Sequence, residues 1–514
     1  MKRRDFVKNV SFASLAVPLL GNSFQVKAAT KVPYKIGVGF EDRVLILVRM
    51  NGGNDGLNMV VPLDQYANLL IQRPSIILPE ASVLQLNSSI GLHPSMTGMR
   101  QMYQQGKLTV VQNVGYPDQN RSHFRSGDIW STGMMDLAAT QGWLGRMFQQ
   151  DHPTFPDGYP NSLNPDPFAI SMGYDVSSTC QGTNSNFSHV VSDPTEVINL
   201  DPGTAVPDNS YFGQQITFLQ GMIDQTNAYG MQVNQAVAAG SNLSTMYTTS
   251  ELSLQLKSVA KMISGGLKTN VYIVNVNGFD THENQVTSGN AVLGNHTALL
   301  GMISDAVAAF QDDITLLGLG SRVSGMTFSE FGRQVASNAS FGTDHGDAAP
   351  MFLFGSCISQ GIIGANPVIG GSVIEQEGVP MQIDFRNVYA SFLKDWFGLD
   401  ASVIQNMFEH SITYYPVMGG CNLGLDENWN EKESSIVYPN PCYTNAILKL
   451  NSENEHVKAI LFDINGAELS LICDTNLTSG THDIPFSMEK FATGIYIVKI
   501  LKESGFAEVR LVKR

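Results

Sequence analysis

Carboxylates and histidines recur in this chain directly after apolar runs. "RVLILVRM" leads into "NGGNDG", which holds Asp55; "NVYIVNVN" leads into "GFDTHENQ", with Asp280 and His282; "RVSGMTF" leads into "SEFGR", with Glu330 and Arg333. A Gly-flanked loop, "FGTDHGDAAP", sets Asp344 and His345 side by side. The stretch "NRSHFRSGDIW", after the run "KLTVVQNVG", offers Arg121, Ser122, His123, Arg125 and Asp128. Oxygen and imidazole donors that converge from separate strand ends form the ligand set of a divalent metal site. Two such ions about 4 Å apart would activate a nucleophile and clamp the oxygens of a transferring phosphoryl or sulfuryl group. Each residue taken singly has an ordinary alternative, as a helix-capping Asp or a satisfied core His. Their joint recurrence past strand ends favours the metal reading.

These residues need a scaffold that brings strand ends together. The apolar runs alternate with helical patterns such as "HTALLGMISDAVAAFQDDITLLGLG", where Leu299, Met302, Ile303, Val307, Phe310 and Ile314 recur at three- and four-residue steps. Continuous apolar strands alternating with such helices predict a mostly parallel, doubly wound α/β sheet covered on both faces. Such a sheet presents ligands at the carboxyl ends of its strands, where glycines let backbone approach a bound group. Residues 151–207, rich in Pro, Asn, Ser and Asp, read as long loops or an insertion over one face. His93, in "GLHPSM", is expected to begin a helix, and the remaining histidines to be surface or packing residues.

The chain has 514 residues, 43% hydrophobic and 15% charged, enough for a large core and for two or more folding units. Its formal net charge of −15 supplies no basic stripe for phosphates, so polynucleotide binding is disfavoured. Residues 1–29 combine a basic start, a short apolar run and a small-residue end, the pattern of an export signal peptide; the apolar run is too short to span a bilayer. Arg3 and Arg4 resemble the twin-arginine type of signal. No later segment has the roughly 20 uninterrupted apolar residues of a spanning helix. The five cysteines lack CxxC spacing, which leaves either a Cys421–Cys442 bridge or unpaired, mostly buried thiols. The expected division is a signal over 1–29, an α/β domain over 30–425, a polar linker over 426–435 and a small all-β sandwich over 436–514. Within the last, Asn465-Gly466 signals a type I′ hairpin.

Two resemblances add to this reading. "YPNP", the "DINGAEL" hairpin, "GIYIVKI" and the basic ending "VRLVKR" resemble the secretion-sorting domain of the type IX (Por) system, which implies an address read by the secretion machinery. "GGNDGLNMVVP", "GLHPSM", "RSHFRSGDIW", "GFDTHENQ", "FSEFGR" and "GTDHG", in this order, resemble the bacterial family known as domain of unknown function 1501, a relative of the alkaline-phosphatase and sulfatase superfamily. That likeness implies an alkaline-phosphatase-like fold with one or two divalent ions, zinc, manganese, magnesium or calcium. It implies Asp55, Asp280, His282, Asp344 and His345 as metal ligands, with Glu330 as a further ligand or the residue that orients one. Ser122 would be the nucleophile or merely a helix cap, His123 a ligand or acid/base, and Arg121 or Arg125 the group meeting an anionic small-molecule or glycan ester. The C/S-x-P-x-R context of formylglycine sulfatases is absent, and so is a GxSxG elbow, which disfavours a metal-free serine hydrolase. The expectation is an exported, metal-dependent hydrolase of phosphate or sulfate esters at the cell surface or beyond it; the rival is a surface binding or scaffold protein that keeps the fold without turnover.

Overall fold

The computed structural model describes residues 36, 40–195, 199–408, 410–419, 436–452, 454–463, 468–502 and 505–514. The amino-terminal signal, the polar linker, Cys421 and the Asn465-Gly466 turn lie outside the described residues. The chain divides into two compact units between Leu423 and Gly424.

The first unit is organised by a nine-stranded sheet. Its strands are β1 (Val44–Asn51), β2 (Leu108–Gly115), β3 (Ala169–Met172), β4 (Ser188–Val191), β5 (Val271–Asn277), β6 (Val323–Phe328), β7 (Ala349–Gly355), β8 (Gly361–Ile363) and β9 (Ile383–Asp384). The spatial order is β8-β2-β7-β6-β1-β5-β3-β4, with β9 also beside β2. All neighbours are parallel except β7, which is antiparallel to both β2 and β6.

Residues alternate across β1 as a strand requires. Val44, Ile46, Val48 and Met50 enter one core, while Leu45 and Leu47 enter another. The first core is closed by helices α1 (Thr97–Gln104), α5 (Glu251–Ser264) and α6 (Asn295–Leu316); the second by α2 (His123–Thr132), α3 (Trp143–Asp151) and α7 (Phe385–Asp395). Helix α4 (Tyr211–Ala239) packs against α5. This is the doubly wound arrangement expected from continuous apolar strands. On α6, Ile303, Val307, Phe310 and Ile314 are buried, whereas Leu299 and Met302 are only partly buried at the edge of that core. Among the described residues no helix is long and apolar enough to cross a membrane.

Two expectations are corrected. Residues 151–207 are not merely loops, since they contribute β3 and β4 to the sheet. Each is four residues long, too short for a periodic signal to emerge from the polar sequence around it. Cys442 is a buried free thiol, so the Cys421–Cys442 bridge does not form; Cys180 is also free and buried, and Cys357 is disulfide-bonded.

The second unit is a sandwich of two antiparallel sheets. One contains β10 (Ile436–Tyr438), β11 (Asn445–Ser452) and β14 (Gly480–Ser487); the other β12 (Glu455–Asp463), β13 (Glu468–Leu477), β15 (Gly494–Lys502) and β16 (Gly505–Lys513). Leu448, Leu450, Val457, Ala459, Leu461, Val498, Ile500 and Leu511 fill the space between them.

Candidate metal centre

Strands β6, β1 and β5 are adjacent and parallel, so "SE" after β6, "GG" after β1 and "GFDTH" after β5 emerge at one edge. Strand β7 runs the opposite way, which puts the residues before it, Asp344 and His345, at that same edge. Strand β2 ends there too, at Gly115, and α2 begins with His123 eight residues later. Chain direction alone therefore gathers residues from across the sequence.

His123, Asp280 and His345 offer ligand atoms that all lie within 4.8 Å of one another. His345 Nε2 lies 3.0 Å from Asp280 Oδ1, and His282 Nε2 lies 3.1 Å from the same oxygen. His123 Nε2 is 3.5 Å from Asp280 Oδ2. The far nitrogen of each ring is engaged by an acceptor: His123 Nδ1 by Glu330 Oε1 at 2.9 Å, His282 Nδ1 by Asp344 Oδ1 at 2.8 Å, and His345 Nδ1 by the Arg121 carbonyl at 2.9 Å. In the neutral rings these acceptors assign the proton to Nδ1 and leave the Nε2 lone pairs facing Asp280. Two such lone pairs, on His282 and His345, stand only 3.0 Å apart. Lone pairs converging on a carboxylate repel one another unless a cation lies among them, and this donor set suits a divalent ion.

The surroundings hold the cluster in place. Arg333, buried beneath it, donates to Asp280 Oδ1 at 2.8 Å, to the Gly53 carbonyl at 2.6 Å and to the Thr343 carbonyl at 2.8 Å. Partial burial alone would raise the Asp280 carboxyl; the contacts with His345, Arg333 and His282 outweigh it and hold the group down at about 2. Burial likewise pushes the His345 imidazole below its ordinary value, favouring the neutral ligand form. Glu330 is buried and accepts from the Gly52 amide at 2.9 Å as well as from His123. Gly52 has φ of 124°, and a Cβ there would lie 2.2 Å from the Asp280 amide nitrogen, so the first glycine of "NGGNDG" makes room for the Asp280 loop.

Not every expected residue is brought to this cluster. Asp55 is 1% exposed and turned inward: its carboxylate takes Arg73 Nη1 at 3.1 and 2.9 Å, Gln285 Nε2 at 2.6 Å and the Leu57 amide at 3.3 Å. It caps the short turn Gly56–Met59 and neutralises a buried arginine, a correction of the ligand role expected for it. Asp344 and Glu330 serve their histidines as hydrogen-bond acceptors. The Arg121 guanidinium is also committed, with two bonds of 2.9 Å to Asp347, so it is not free to meet an anion; only its carbonyl serves the cluster. Ser122 is exposed ahead of α2, and its hydroxyl neither caps that helix nor finds a hydrogen-bond partner among the described residues. His93 is buried, with Nδ1 2.8 Å from Ser95 Oγ, and α1 begins four residues later. Sequence reasoning missed Arg73, the partner of Asp55, which lies 18 residues further along the chain and carries no local motif.

Residues 259–408 match the model of the family described as protein of unknown function (DUF1501), and residues 436–514 that of the secretion system C-terminal sorting domain. Several solved structures match the chain at low identity. A protein in the alkaline phosphatase superfamily from Vibrio parahaemolyticus is 9% identical with a TM-score of 0.35, over 89% of this chain and 85% of that chain. The phosphonate monoester hydrolase SpPMH from Silicibacter pomeroyi is 9% identical with a TM-score of 0.29, over 91% and 89%. The alkaline phosphatase of the Antarctic bacterium TAB5 is 9% identical with a TM-score of 0.26, over 74% and 99%. No curated protein matches the chain. The span 259–408 that matches the DUF1501 model contains Asp280, His282, Glu330, Asp344 and His345, and residues 436–514, within the second unit, are the part that matches the sorting-domain model.

Proposed function

We propose that this chain is an exported, metal-dependent hydrolase of phosphate or sulfate esters. The observation that carries the reading is the convergence of His123, His282 and His345 on the Asp280 carboxylate, each ring oriented by an acceptor behind it. His123, Asp280 and His345 would hold the ion, with His282 beside them. Three imidazoles and a carboxylate favour zinc or another transition ion over magnesium or calcium, which prefer all-oxygen shells. A divalent ion bound there supplies Lewis acidity toward a water and toward the oxygens of the transferred group. The chain's own contribution is to fix Asp280 through Arg333 and to hold the three imidazoles aimed by the acceptors behind them. The Ser122 hydroxyl is exposed and has no hydrogen-bond partner among the described residues to activate it, and water is the nucleophile in this reading.

The sorting domain supports export to the cell surface or extracellular space by way of the secretion machinery, and the signal-like residues 1–29 support passage through the periplasm. The test is to strip the purified chain with a chelator, reload it separately with zinc, manganese, magnesium and calcium, and assay phosphate and sulfate monoesters. Turnover restored by zinc or manganese and lost in Asp280→Asn supports the hydrolase. A fully reloaded protein that turns over neither ester would favour the non-catalytic scaffold.

A further inference from the structure

The one charged side chain inside the apolar run "RVLILVRM" past its first residue is Arg49, and it lies near the carboxyl end of the central strand β1, flanked in register by Asn275 of β5 and Phe328 of β6. It shares a face with Leu45 and Leu47, which are fully buried, but is itself only partly covered. Among the described residues its guanidinium has no hydrogen-bond or ion-pair partner. Two open pockets meet at it. One, of about 400 Å³, is lined by Arg49, Asn51, Gly52, His123 and Glu330. The other, of about 240 Å³, is lined by Arg49 and Asn51 together with Asn275, Asn277, Tyr174 and Gln255.

A partly desolvated guanidinium is costly unless an anion meets it. Four carboxylates share these walls, Asp128, Asp175, Glu251 and Glu330, yet none is ion-paired with Arg49. Glu330 is already taken by His123 and the Gly52 amide. Helix α2 passes Arg49 at Gly127, where a Cβ would stand 3.0 Å from Nη2, so the missing side chain leaves the guanidinium its place in the pocket. With Arg121 tied to Asp347 and Arg125 donating to the Met135 carbonyl, Arg49 is a cation that lines the same pocket as His123 and whose guanidinium has no partner among the described residues.

We propose that Arg49 is the anion receptor of the site, holding the tetrahedral oxyanion of the ester beside His123 and Asp280. The planar fork of an arginine matches two oxygens of a phosphate or sulfate at once, which fixes the orientation of the group as well as its position. The proposal rests on the hydrolase reading for its substrate, while the site itself is a property of Arg49 and its pocket.

The test measures dissociation constants for inorganic phosphate and inorganic sulfate separately, by titration calorimetry, on the full chain, before and after metal stripping. The proteins compared are wild type, Arg49→Ala and Arg49→Lys, each with its melting temperature and metal content recorded. Arg49→Ala is expected to weaken binding of the preferred anion about tenfold or more, in loaded and stripped protein alike, with metal content unchanged. Arg49→Lys is expected to recover part of the loss, because the charge returns without the fork. If Arg49→Ala does not fold, Arg49→Lys and Arg49→Gln carry the comparison. Anion dissociation constants within twofold of wild type in the folded variants would overturn the proposal. Arg49-dependent binding in a protein that hydrolyses neither ester would uphold the receptor and remove the hydrolase reading, so the two fail separately.

Discussion

Replacing Asp55 by Asn removes one charge from a pair that water does not reach. Arg73 is 0% and Asp55 1% exposed at the side chain, and they approach to 2.9 Å. With an effective dielectric constant of about 20, the gross attraction at such a distance is on the order of 5 kcal/mol. Breaking a buried pair by removing one partner costs about 3–5 kcal/mol, because the remaining charge stays buried. Asn keeps the shape and one acceptor for Arg73, so the lower end, about 3 kcal/mol at neutral pH, is expected. Burial raises the Asp55 carboxyl, but Arg73, His296 and Gln285 together outweigh it and leave it below its ordinary value of 3.8. A depressed carboxyl contributes its stability fully above that ordinary value and loses it as pH falls through the lower, folded value. The gap between wild type and variant should therefore be constant near neutrality and narrow only below about pH 4. Urea unfolding followed by tryptophan fluorescence suits the measurement, since Trp130, Trp143 and Trp396 are all buried in the α/β unit. Metal content should stay at the wild-type level. A variant that loses its metal while its stability moves by less than about 1 kcal/mol would refute the reasoning and restore Asp55 as a ligand.

Gly52→Ala should drive the Asp280 loop outward, because the new Cβ meets the Asp280 amide nitrogen at 2.2 Å; a raised metal dissociation constant checks it. His296 is buried, and burial lowers it to about 4, so its folded form resists protonation. Stability is then complete above about pH 6.5 and should fall by roughly 3 kcal/mol as pH drops toward 4, a slope that His296→Gln should reduce in pH-dependent unfolding curves. In the sorting domain, the Lys513 amine is buried and donates to the carbonyls of Met488 at 2.7 Å and Phe491 at 2.5 Å. Lys513→Ala leaves those acceptors unmet and should cost that unit about 1–3 kcal/mol, read from its own thermal transition.

How much could be read from sequence followed the range of the signal. The continuous apolar runs of β1, β5 and β6 implied a sheet covered on both faces, and their common direction explains why Asp280, His282 and Glu330 emerge at one edge. Asp344 and His345 reach that edge by a different route, from ahead of an antiparallel strand that parallel-sheet reasoning does not foresee. Asp55 looked like its neighbours because its flanking glycines serve the backbone approach to Asp280, while its carboxylate answers to Arg73, a partner without any motif. Arg49 was hidden inside an apolar run, although period-two counting places it on the face of Leu45 and Leu47, where an arginine is out of keeping. β3 and β4 went unread because four residues hold too few alternations to stand out.

The most direct test of the metal centre is elemental analysis of the purified chain after reconstitution, beside Asp280→Asn and His345→Ala. The account predicts at least one divalent ion per wild-type chain and a substoichiometric content in both variants, with their melting transitions retained. A reconstituted wild type that holds no ion, or variants that keep the full complement, would contradict it.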